Sequence, residues 1–212
     1  MNINLNTLSV SLANLVTTYN PNLKQQEDYI RYGLEWILSG LFQTLLILTV
    51  SYLLNLTPFS LVSLVTGAIF RMLTGGVHFN TYIKCVYFSS TIIIIVAFVS
   101  KLYSKAFNHW SLYYGNVVLL FIIYYLYAPK LYKTKTLFSQ KQKERFKLLS
   151  ILLLIIFFLL TEFLVKDYRY ILCIWISIFF QGFSLTNCGE KVILYIDNIT
   201  KLKWRKKNGN LI

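Results

Sequence analysis

The chain is predicted to be an all-α, polytopic membrane protein, with about six membrane-embedded helices and an N-terminal amphipathic helix. Three observations carry this. Hydrophobic residues make up 56% of the 212 residues and charged residues only 14%, against about 45–50% and about 25% in ordinary soluble domains. Six apolar segments follow one another at about 34–54, 56–73, 82–100, 110–128, 148–165 and 170–188, each near the roughly 20 residues a helix needs to cross the hydrocarbon. Lysine and arginine gather between and after these segments, as flanking loops require.

The first element is uncharged apart from its amino terminus. Leu5, Leu8, Leu12, Leu15, Val16 and Tyr19 recur at helical spacing up to Pro21, which predicts a short interfacial helix. Lacking a basic start and a compact apolar core, it does not read as a cleavable signal peptide. Residues 23–33 are polar (Lys24, Glu27, Asp28, Arg31), so 1–33 is an interfacial region of one membrane domain spanning 1–212. The second apolar segment is the weakest. It opens at Pro58, which suits a first helical turn, and closes at Thr74-Gly75-Gly76, which suits a helix stop.

Charge sets orientation. The chain carries 21 Lys+Arg against 8 Asp+Glu, a net +13. Residues 130–147 hold Lys130, Lys133, Lys135, Lys141, Lys143, Arg145 and Lys147 against Glu144, and the stretch 189–212 holds Lys191, Lys201, Lys203, Arg205, Lys206 and Lys207 against Glu190 and Asp197. Both are expected on the cytoplasmic face. The two segments between them make the assignments agree by parity. Counting back puts 101–109 outside, 74–81 inside, 55–57 outside and the amino terminus inside. Anionic lipid explains the positive charge, and no nucleic-acid signature accompanies it. Cys85, Cys173 and Cys188 are odd in number and widely spaced, which argues against a disulfide framework or a cysteine metal site. No cofactor is expected.

The candidate site is Arg71-Met72-Leu73-Thr74-Gly75-Gly76-Val77-His78, with Cys85 seven residues on. Ionisable groups at a bilayer edge are costly and so are functional candidates. A histidine beside a cysteine is the minimum equipment of thiol nucleophilic catalysis. The glycines break the preceding helix and Asn80 or Thr81 can cap the next, so Cys85 falls near a helix start, where the positive helix end suits a thiolate. In continuous helix, seven residues would separate His78 and Cys85 by roughly 10 Å, too far for a hydrogen bond. The pair can therefore act together only if Gly75-Gly76 and the residues after them form a bend, which glycine permits. Arg71 could bind a substrate carboxylate, stabilise an oxyanion, or reach lipid phosphate. Ser89, one turn beyond Cys85, could line the site or bond back to its own helix.

Arg-x-x-x-Gly-Gly-x-His with a cysteine seven residues on, the Tyr127-Ala128-Pro129 span end, the Lys-rich loop after it and six apolar segments resemble the accessory gene regulator B (AgrB) family. Those are membrane cysteine endopeptidases that process quorum-sensing precursors. The resemblance implies that His78 and Cys85 are the catalytic pair; Arg71, Gly75, Gly76 and Ser89, on the reading above, are expected to bind substrate or support the site. It also implies a partner peptide with an amphipathic leader and an acidic tail. A homodimer is compatible with it.

Other polar residues read more simply. Glu35 and Glu162 suit membrane interfaces, although Glu35 shares the expected side of His78 and could orient it. Gln43, Gln181 and Asn187 suit bonds across helices. Cys173 suits packing and Cys188 a structural or surface thiol; His109 lies on the opposite face by parity. The competing function is a small transporter or channel with a polar path through Arg71, His78 and Glu35, which would not need Cys85. A non-enzymatic scaffold is the third. Neither Gly-x-Ser-x-Gly nor His-Glu-x-x-His occurs.

Overall fold

The computed structural model describes residues 5–79, 81–103, 110–130 and 139–209, with side chains for 7–79, 81–103, 112–130 and 139–199. Asn80, His109, the lysines at 133 and 135, and the basic side chains beyond 200 therefore lie outside the described residues. The helices are α1 (Leu5–Tyr19), α2 (Glu27–Leu53), α3 (Thr57–Thr74), α4 (Tyr82–Tyr103), α5 (Trp110–Tyr127), α6 (Gln140–Phe163), α7 (Tyr168–Leu185) and α8 (Asn187–Gly209). A 3₁₀ turn, Pro21–Gln26, joins α1 to α2. Five elements are long and apolar enough to cross a bilayer: those ending in α2, and α3, α4, α6 and α7; α5 adds a shorter apolar stretch, Leu112–Tyr127. The protein is thus an all-α polytopic membrane protein.

α3 and α7 form the centre. Phe70, Leu120, Tyr124, Leu154, Ile178 and Leu185 are buried where α3, α5, α6 and α7 meet. Small residues let α3 and α7 approach closely, as lipid-embedded helices require: Ser177 Oγ donates to Ser63 Oγ at 2.8 Å and Cys173 Sγ to the Phe59 carbonyl at 3.1 Å. Leu45, Val118 and Leu148 stay more than half exposed, as side chains facing lipid do, since lipid is as apolar as a protein core. The same inversion governs α1. It packs on α2 through buried Ser9, Ala13 and Thr17 and turns Leu8, Leu15 and Tyr19 outward.

Two elements begin earlier than their apolar runs. α2 starts at Glu27, with Glu27 and Asp28 in its first turn, where acids complement the positive helix end. α6 starts at Gln140 behind a capping box: Ser139 Oγ accepts the Gln142 N–H and Gln142 Oε1 the Ser139 N–H. The second half of the basic 130–147 segment is therefore helix, and so is most of the basic stretch from 189 on.

The loops that charge parity places on one side do meet. The ends of α3 and α5, the start of α4 and the α7–α8 junction converge at one end of the bundle, joined by Gly75–Lys130, Lys84–Asp197 and Lys130–Glu190 contacts. At the other end Lys101 Nζ donates to the Asn55 carbonyl at 2.9 Å. α3 therefore runs from one end of the bundle to the other.

Candidate active site

The site is built on the break between α3 and α4. α3 stops at Thr74 because Gly75 takes φ +71° and Gly76 φ +129°, a left-handed backbone that side chains resist. Space is as restrictive as torsion. A Cβ on Gly75 would stand 2.5 Å from the Lys130 carbonyl oxygen, and one on Gly76 2.8 Å from Ser184 Oγ. The room is taken by a single parallel backbone pairing. Gly76 N–H donates to the Lys130 carbonyl at 3.0 Å and Lys130 N–H to the Thr74 carbonyl at 2.9 Å. Unwound backbone at membrane depth must find such partners within the protein.

Gln181, buried on α7, holds the other side of the turn. Its Nε2 donates to Thr74 Oγ1 at 3.0 Å and to the Gly75 carbonyl at 2.8 Å, and its Oε1 faces Arg71 Nη1 at 3.4 Å. It thus bonds across helices, as its type and position suggested, and it does so at the site.

The bend folds the loop after the glycines back onto the start of α4. Phe79 N–H donates to Cys85 Sγ at 3.3 Å, across six residues that an unbroken helix would stretch over about 9 Å. Phe79 is held there by its ring, which meets Phe88 edge-on at 5.1 Å. Cys85 is half-buried on the first turn of α4, and its N–H bonds to the Thr81 carbonyl at 3.3 Å. His78 is exposed, and Arg71 Nη2 reaches its Nδ1 at 3.1 Å. The same Nη2 donates to the Val77 carbonyl at 3.0 Å. Arginine has donors only, so the ring nitrogen it meets presents a lone pair. Arg71 also lies close enough to Cys85 to act on it electrostatically.

Ser89 Oγ donates to the carbonyls of Cys85 (2.6 Å) and Val86 (3.2 Å), so it bonds back to its own helix. Glu35 lies near Tyr82 and Tyr32. Cys173 is fully buried in α7 and Cys188 is exposed on α8. Sequence reasoning missed three contributors. Lys130 supplies the backbone rung, the Phe79–Phe88 pair fixes the loop, and Lys84, beside Cys85, binds Asp197 at 2.7 Å. Two aromatic residues nine apart across a glycine-led bend gave a signal for the second. Nothing local marks the other two, which join positions 54 or more residues apart.

Thiol, imidazole and guanidinium thus share one end of a membrane-spanning helical bundle, on a glycine turn tied to two other helices. This is the layout of a polytopic membrane protein with ionisable groups gathered at one end of its bundle. The comparisons with known proteins agree. The profile of the accessory gene regulator B family matches residues 9–185, and the chain belongs to that family, whose members are generally cysteine peptidases of quorum sensing. Proteins provisionally named AgrB-like are similar along nearly their whole length. One from Clostridium perfringens strain SM101 is 25% identical over 191 residues, covering 83% of this chain and 88% of its own. One from Halalkalibacterium halodurans is 28% identical over 188 residues, covering 89% and 90%. One from Clostridium beijerinckii is 26% identical over 166 residues, covering 78% and 80%. No solved structure matches the chain.

Proposed function

We propose that the chain is a membrane cysteine endopeptidase that removes the C-terminal tail of a quorum-sensing propeptide and supports its cyclisation to a thiolactone. The observation that carries this is the folded-back loop. The residue after His78 lays its N–H on Cys85 Sγ at 3.3 Å, which supports a reading in which His78 and Cys85 work together.

In this mechanism the Cys85 sulfur attacks a peptide carbonyl near the precursor's C-terminus. The thiol proton passes to His78, and His78 then gives it to the departing amine as the C–N bond breaks. The tail leaves, and the N-terminal part stays on Cys85 as a thioester. A cysteine thiol of the precursor then attacks that thioester, closing a ring and returning a proton and the free thiol to Cys85. One thioester replaces another at little cost, so cyclisation prevails only where water is kept out, which a membrane-edge site favours.

Arg71 has a place in the sequence of events. Its donor-only guanidinium rests on the His78 ring, the Val77 carbonyl and Gln181. A substrate oxygen that takes over the guanidinium frees the imidazole lone pair for Cys85 and gains a partner for its developing charge. Lys141, Lys143, Arg145 and Lys147 would attract an acidic tail or anionic lipid headgroups at the same end. With the termini and the site on the cytoplasmic face, a newly made precursor meets the site directly.

Co-expression of a candidate precursor with Cys85→Ser and His78→Ala variants tests the proposal. Cleavage is expected to stop in both, and the parent chain should yield a precursor thioester that hydroxylamine releases. Cleavage that persists in Cys85→Ser rejects the thiol mechanism.

A further inference from the structure

α8 lies beyond the stretch that matches the family profile, which ends at residue 185. It nevertheless reaches both sides of the site. Glu190 Oε2 pairs with Lys130 Nζ at 2.8 Å, and Lys130 Nζ also donates to the Thr186 carbonyl at 3.3 Å. One heptad later Asp197 Oδ1 pairs with Lys84 Nζ at 2.7 Å, and the Asp197 carbonyl accepts from the same nitrogen at 3.4 Å. Seven residues return a helix to the same face. Ile193, between the two acids on that face, is buried too.

The two lysines are not arbitrary. Lys130 is the residue whose backbone pairs with Thr74 and Gly76. Lys84 immediately precedes Cys85 in the first turn of α4. Asp197 is only 2% exposed, and a carboxylate so enclosed persists only when paired and hydrogen-bonded. The backbone of α8 packs on α7, and the Lys84 side chain joins α8 to α4.

We propose that α8 is the third wall of the site: its acidic face holds Lys84 and Lys130 and so sets where the first turn of α4, with Cys85, stands against the glycine turn. Lys84 and Asp197 are then positioning residues, acting through Cys85 and not on the substrate. This rests on the peptidase proposal for its kinetic arm only. Misplacing a reacting atom by about 1 Å can lower a rate about 100-fold.

The test uses the full chain in membranes, in a Cys188→Ser background so that the exposed thiol does not compete. Asp197→Asn, Asp197→Glu and the exchange Lys84→Glu with Asp197→Lys are compared by two measurements. One is the rate at which N-ethylmaleimide alkylates Cys85, read by peptide mass. The other is precursor cleavage, separated into kcat and KM. Asp197→Asn is expected to change the alkylation rate several-fold and to lower kcat about 10- to 100-fold with little change in KM. Asp197→Glu and the exchange should restore most of both.

Parental alkylation and cleavage in Asp197→Asn would overturn the proposal. So would equal impairment of all three variants, which marks a folding role alone. Cleavage surviving Cys85→Ser would reject the peptidase proposal and leave the alkylation result to decide this one.

Discussion

Cys173 sits in the first half of α7, fully buried, and its S–H donates to the Phe59 carbonyl at 3.1 Å. Cys85 sits on the first turn of α4, half-buried, and its sulfur accepts the Phe79 N–H at 3.3 Å. A carbonyl oxygen beside a sulfur needs the proton to stay. An N–H aimed at a sulfur, with Arg71 close by, favours the anion, while the burial of Cys85 opposes it. The residue type is the same; one sulfur donates to a carbonyl and the other accepts from an N–H, and on the proposed function the second is the nucleophile. The difference traces to backbone: α7 is unbroken through Cys173, whereas a glycine turn folds a loop onto Cys85.

The sharpest way to break that contrast is to remove each sulfur in turn. Cys85→Ser should lower precursor cleavage by on the order of 10⁴-fold or more, the scale on which nucleophile removal acts. Cys173→Ala should leave cleavage at the parental level and cost about 1 kcal/mol in thermal unfolding in detergent. Comparable cleavage losses would erase the distinction. The next test addresses the turn itself. Gly75→Ala meets both a positive φ and the Lys130 carbonyl, and should lower cleavage about 100-fold. Gly40→Ala, with open space at its Cβ, should leave it unchanged.

A smaller effect is expected at the support. Gln181→Leu removes two donors from the Thr74–Gly75 side of the turn and should cost about 2 kcal/mol of stability. Smaller still is the far end of α7, where Asp167 caps the helix and Arg169 and its backbone N–H bind the carboxylate. Asp167→Ala should cost about 1 kcal/mol. Arg169, first through its side-chain hydrogen bonds, holds the Asp167 carboxyl below its ordinary range. The stabilisation is therefore present above the unfolded value of about 4 and is lost as pH falls through the lower folded value. The gap in unfolding temperature between parent and Asp167→Ala should close as the pH is lowered past that point.

Much of this was legible in the residues. Apolar runs at 82–100 and 170–188 became Tyr82–Tyr103 and Tyr168–Leu185, because hydrocarbon thickness sets both their length and their composition. The break at Gly75–Gly76 was legible for the same kind of reason: two adjacent glycines after a helix relieve a constraint that every other residue imposes. Helix starts at Glu27 and Gln140 were hidden because charge masked them, although acids in a first turn and Ser139 with Gln142 three residues later are start signals. What no local pattern could give is pairing at a distance. Lys84 and Lys130 look like flanking charges until Asp197 and Glu190 come to meet them, and a basic C-terminal stretch shows its net charge more plainly than its acidic face.

The rung between Gly75 and Lys130 ties the glycine turn to the end of the short apolar helix α5. α5 has 18 residues, as do α3 and α7, against 22 in α4 and 27 in α2; 18 residues make about 27 Å of helix. A span that short answers a thicker bilayer by drawing in the lipid around it or by shifting along its axis, and any shift arrives at the glycine turn through two hydrogen bonds. On the proposed function, membrane thickness would then be an input to the chemistry. Cleavage measured across vesicles of graded acyl length should show an optimum that moves to thicker bilayers when apolar residues are added to α5, and a flat response would show the rung to be mechanically silent.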